Sequence, residues 1–69
     1  MENMTIGEKI MIYRRRKGMT QPELAAKAGV SVMTISRIEK GNEVPLTVTI
    51  KAISDVLGIN LEDLKGDNQ

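Results

Sequence analysis

Apolar residues recur at helical spacing in five short runs, each opened by Thr, Ser or Asn and closed by Gly. In the first, Ile6, Ile10 and Tyr13 follow an i, i+4, i+7 stripe that marks a core-facing helix. Thr5 and Glu8 stand as T-x-x-E, so hydroxyl and carboxylate can each satisfy an orphan amide of the first turn. That helix is expected to reach about Lys17, with Gly18 as its stop; Met11 and Ile12 fall on its flank. Thr20 and Glu23 repeat the capping box, and Pro22 is tolerated because first-turn amides lack helical partners. Leu24, Ala25 and Ala28 then share one face, and Gly29 is placed to end the helix. Ser31 is the next cap, Ile35 and Ile38 the next inward pair, and Gly41 the next stop. A loop from Asn42 to Leu46 follows, with Pro45 blocking continuation. Thr47 is the expected cap of a fourth helix whose inward residues are Ile50, Ile53, Ser54 and Leu57, ended by Gly58. Asn60 opens a short fifth helix, with Asp63 at its third position, Leu61 and Leu64 inward, and Gly66 as its stop. No alternating β-branched run predicts a strand. The expectation is a compact all-α, five-helix domain over 1–69, with polar tails at 1–4 and 67–69.

Helices 2 and 3, joined by a short turn containing Gly29, form a helix-turn-helix. With Ile35 and Ile38 inward, Ser31, Val32, Met33, Ser36 and Arg37 must face outward or sideways. Such a face suits a DNA major groove: small residues allow close approach, apolar groups meet thymine methyls, and an Arg can grip guanine. An ordinary solvated face with a stray Val and Met has the same pattern. The pattern alone leaves both open.

Charge distribution adds more than net charge, which is only +1. Residues 1–40 hold eight Lys/Arg against four Asp/Glu, or +4; residues 41–69 hold two against five, or −3. One end can therefore meet phosphates while the other stays acidic. The run Arg14–Lys17 complements the C-terminal dipole of helix 1, and Arg15, Arg16 and Lys17 are also placed to touch a DNA backbone. The chain has no His and no Cys, which removes Ser–His and Cys–His catalysis, thiolate or imidazole metal sites, and disulfides. Acid pairs and Ser–Lys dyads remain formally open, but nothing nominates one. Tyr13 is the only aromatic, so the core must be aliphatic. Absence of cysteine and of any signal pattern or long apolar run leads to an expected cytoplasmic protein.

Residues Gln21, Leu24, Ala25, Ala28-Gly29-Val30, Ile35, Ile38, Glu39 and Gly41 together resemble the helix-turn-helix of the Cro and phage-repressor (lambda-repressor-like) family. The likeness extends over roughly residues 5–66. It implies a sequence-specific regulator of transcription, a repressor rather than an activator, with helix 3 in the major groove of double-stranded DNA. Ser31, Val32, Met33 and Arg37 would then face bases. Gln21, Thr20, Arg16, Lys17, Thr34, Ser36 and Lys40 would meet the backbone, Gln21 aided by the positive end of helix 2. The resemblance also implies a structural Arg14–Glu39 ion pair tying helix 1 to helix 3. No cofactor or metal is expected. The start of helix 3 lacks the glutamines with which some relatives read adenine, so their operator preference does not carry over.

One recognition helix reads few base pairs, so a homodimer on a palindromic operator is expected. Its contact would come from the helix 4 and helix 5 end or from a segment outside this sequence. The rival to DNA is a protein-docking module, since Val32 and Met33 could seat on a protein; the rim of Arg14–Lys17, Lys27, Arg37 and Lys40 favours DNA.

Overall fold

In a computed structural model describing residues 4–65, five helices follow one another: α1 Ile6–Arg16, α2 Gln21–Ala28, α3 Val32–Lys40, α4 Thr47–Leu57 and α5 Leu61–Lys65. No strand occurs among the described residues. Residues 1–3 of the expected 1–4 tail, the Gly66 stop and the 67–69 tail lie outside them, and Met4 is half-buried.

Both capping boxes form. Thr5 accepts the Glu8 amide at 3.0 Å while Glu8 accepts the Thr5 amide at 2.9 Å, and Thr20 and Glu23 exchange the same bonds at 3.2 and 2.8 Å. Ser31 Oγ caps α3 through the Thr34 amide at 3.1 Å. Between α2 and α3 the chain turns through three residues. Gly29 takes the left-handed conformation at φ 76°, and the Val30 amide bonds back to the Ala25 carbonyl at 3.0 Å. A β-carbon there would be strained, so glycine sets the sharpness of this turn.

The start of α4 corrects one expectation. Leu46, not Thr47, holds the N-cap position, and no side chain caps the helix. Pro45 is buried and anchors the loop, leaving Leu46 as the last extended residue, with its carbonyl accepting the Ile50 amide at 2.9 Å. Thr47 is thereby drawn into the first turn.

Ile10, Leu24, Ala25, Ile35, Ile38, Ile50, Ile53, Leu57 and Leu64 form one buried cluster drawn from all five helices. Each large aliphatic side chain taken fully from water contributes about 1.5–3 kcal/mol. Tyr13, Ile6, Val30 and Leu61 pack around it, half-buried. The stripe on α1 is therefore rotated from the expected one: Gly7, Ile10 and Arg14 are buried, with Ile6 and Tyr13 at the edges. Gly7 explains the rotation. A β-carbon there would lie 1.9 Å from the Ile38 carbonyl oxygen, so the α1 backbone rests directly on the C-terminal half of α3.

Candidate functional site

Helix α3 presents two unlike faces. Ile35, Ile38 and Glu39 are buried, whereas Val32, Met33, Arg37 and Lys40 are exposed and Thr34 and Ser36 lie between. Met33 is 57% exposed and Val32 beside it 41%, so two apolar side chains stand together in solvent at the start of the helix. Met33 and Arg37 are one turn apart, as are Val32 and Ser36, so their side chains form adjoining rows on the outer surface. Arg37 enters neither ion pair seen among the described residues. The one acid of α3, Glu39, is turned inward, so the outward face carries only positive charge.

Glu39 is held by partners from two other helices. Arg14 donates from Nε to Oε2 at 2.7 Å and from Nη2 to Oε1 at 3.0 Å, a bidentate pair. A third guanidinium bond runs from Nη1 to the Met19 carbonyl at 2.8 Å. Gln21 Nε2 donates to Glu39 Oε1 at 2.9 Å. The hydrogen bond to Glu39 raises the Arg14 pKa above its ordinary value; burial opposes this and the charge attraction adds to it. No buried side-chain nitrogen or oxygen among the described residues lacks a partner. The expected Arg14–Glu39 pair is thus present as a fully satisfied clasp joining α1, the α1–α2 turn, α2 and α3.

Several residues named from the sequence carry structural bonds as well. Gln21 is half-buried and tied to Glu39, with one amide hydrogen and its main-chain N–H at the start of α2 outside that bond. The Thr20 hydroxyl is committed to capping, and Ser31 and Thr34 hydroxyls bond each other at 2.9 Å. Arg16 lies over the Tyr13 ring at 5.7 Å, exposed to solvent. A β-carbon added to Gly58, the C-cap of α4, would stand 4.0 Å from Lys17 Cε and Nζ, so the Lys17 ammonium lies near the negative end of that helix. Arg16 therefore has a local partner on α1 and Lys17 a favourable place beside α4, apart from any phosphate. Gly7, Met19 and the Gln21–Glu39 bond were not foreseen. For Gly7 the signal was available: a glycine in the first turn of α1, where neither the cap nor the stop calls for one, asks for a packing reason.

No group of three or more acids, His or Cys among the described residues could hold a metal, and no described helix is long and apolar enough to cross a membrane.

Comparison with known proteins sets this geometry among relatives. Residues 10–64 match the family model described as helix-turn-helix. The HTH-type transcriptional regulator YazB of Bacillus subtilis is 38% identical over 64 residues, covering 93% of both chains. The immunity repressor protein of Bacillus phage phi105 is 33% identical over 93% of this chain, which spans 44% of the phage protein. Among solved structures, the biofilm master regulator SinR in complex with DNA superposes with a TM-score of 0.84 at 36% identity, covering 87% of this chain and 97% of that one.

Proposed function

The chain belongs to the helix-turn-helix family, and from that premise we propose that it is a sequence-specific, double-stranded-DNA-binding repressor of transcription that lays α3 in the major groove. The observation that carries this reading is the outer face of α3: Val32, Met33 and Arg37 stand clear of the core while the helix's only acid is turned inward. Arg37 offers a bidentate donor pair to guanine, and Val32 and Met33 offer apolar contact to thymine methyls. Ser31, small and exposed at the helix start, lets the duplex approach closely. Gln21 meets a phosphate with the hydrogens that Glu39 leaves it, at the positive end of α2. Thr20, Thr34, Ser36 and Lys40 line the same approach, and Arg16 and Lys17 add positive charge at greater distance. Two copies act on a two-fold operator, with half-sites about 34–36 Å apart. The protein works in the cytoplasm as a binding protein, without catalysis, cofactor or metal.

Selection from a random duplex library at two salt concentrations tests the reading. Enrichment of a two-fold sequence, with affinity falling steeply as salt rises, is the expected result. No enrichment and flat salt dependence would assign the face to a protein partner instead.

A further inference from the structure

At the start of α3, Val32 and Met33 stand exposed side by side. The hydroxyls that flank them, of Ser31 and Thr34, bond each other at 2.9 Å, and Ser31 Oγ also accepts the Thr34 amide at 3.1 Å. Arg37, the long donor of this face, lies one turn further along the helix. We propose that this end of α3 recognises the C5-methyl group of a pyrimidine and not the base that carries it, so that 5-methylcytosine serves it as well as thymine.

The chemistry of the major groove separates methyl from base. Thymine and cytosine differ there in two places: thymine presents an O4 acceptor and a C5-methyl, cytosine an N4 amino donor and a bare C5. Telling O4 from N4 takes a group that only donates or only accepts. Val32 has no hydrogen-bonding atom in its side chain, and the Met33 thioether is a weak acceptor. A hydroxyl both donates and accepts, so Ser31 and Thr34 suit either base. A carboxylate would favour the amino group of cytosine, but Glu39, the one acid of α3, is buried against Arg14. Arg37 only donates, and it is assigned to guanine. What is left to read at the start of the helix is the methyl group. Met33, unbranched and flexible, can close around it whichever base it stands on.

The ligand class follows: duplexes with 5-methylpyrimidines at the positions that face Val32 and Met33. Methylating a cytosine there turns a weak site into a stronger one. Methyl recognition of this kind rests on α3 lying in the major groove, the function proposed for that helix.

Duplexes selected from a random library are the probe, and the full chain is titrated with altered versions of them. Each thymine in turn is replaced by uracil, or its pair by a cytosine·guanine or 5-methylcytosine·guanine pair. Uracil removes only the methyl from thymine, and 5-methylcytosine adds only the methyl to cytosine. At the thymines facing this end of α3, uracil should weaken binding about fourfold, and 5-methylcytosine should bind more tightly than cytosine by the same factor, the worth of one buried methyl-sized group. Met33→Ala and Val32→Ala should bring both ratios close to one at the position each residue faces; alanine favours helix, so α3 is kept. Arg37→Ala should weaken every version and leave the ratios standing. Wild type indifferent to uracil at every thymine would overturn the proposal. So would 5-methylcytosine binding no better than cytosine where uracil is costly, because a donor such as a first-turn amide would then be reading O4. Ratios undiminished in both alanine variants would also overturn it. Tight, selective binding alongside any of these three results leaves the DNA-binding reading intact, whereas failure to select any duplex brings down both.

Discussion

The two faces of α3 are made from neighbouring residues and obey opposite rules. On the inner face every polar group is answered: Glu39 takes two bonds from Arg14 and one from Gln21, and Ile35 and Ile38 are sealed in the core. On the outer face Arg37, a side chain with five donors, remains in solvent beside exposed Val32 and Met33. The inner face fixes where the helix lies, to the point that Gly7 lets α1 rest on its backbone. The outer face contributes little to that fixing and is therefore open to change without loss of the fold. A helix that must enter a groove at one depth and angle needs both.

Substitutions should separate these faces. The largest effect is expected from Glu39→Ala, which leaves Arg14 buried without its carboxylate; urea unfolding should show a loss of about 3–5 kcal/mol. Replacing Arg14 and Glu39 together by apolar residues should cost less than that single change, because no charge is stranded. Gly7→Ala comes next. Its methyl must push α1 off the Ile38 carbonyl, and overpacking of this kind costs about 1–3 kcal/mol by the same measurement. Gln21→Ala spans both faces: about 1 kcal/mol of folding stability should go with the Glu39 bond. Its DNA affinity should fall almost equally on all duplexes, and a loss confined to one base pair would contradict the phosphate role. The smallest effect has the opposite sign. Leu46→Ser supplies the missing cap of α4 and should raise stability by roughly 0.5–1 kcal/mol, read as a higher unfolding midpoint.

How much of this was legible in the chain depends on what kind of physics wrote it. Helix boundaries are local, and their signals are local too: the Thr5–Glu8 and Thr20–Glu23 boxes, the Ser31 cap and Gly29 form as their spacing implies. The outward set Val32, Met33 and Arg37 could be read because it is the complement of Ile35 and Ile38 on a 3.6-residue period. What escaped was set between elements. That Gly7 meets the Ile38 carbonyl depends on how α1 crosses α3, which no single run encodes. The Gln21–Glu39 bond depends on where the start of α2 falls beside α3, so a residue read as a phosphate ligand proved to be part of the clasp as well. Thr47 misled because a hydroxyl after a proline loop is a good cap in isolation, while the buried Pro45 starts the helix one residue sooner. Exposure of Val44, Leu46 and Val48 was equally hidden, since alternating apolar residues at a helix entry look the same whether covered or bare.

Arg37→Ala puts the division of α3 to its most direct test, in binding measured against a panel of duplexes that differ from the selected operator by one base pair at a time. Folding stability should be unchanged, the operator should lose about 1–3 kcal/mol, and the lost discrimination should fall at one base-pair position in each half-site. An equal loss on every duplex in the panel would make Arg37 a phosphate contact and contradict the assignment of the outer face to base reading.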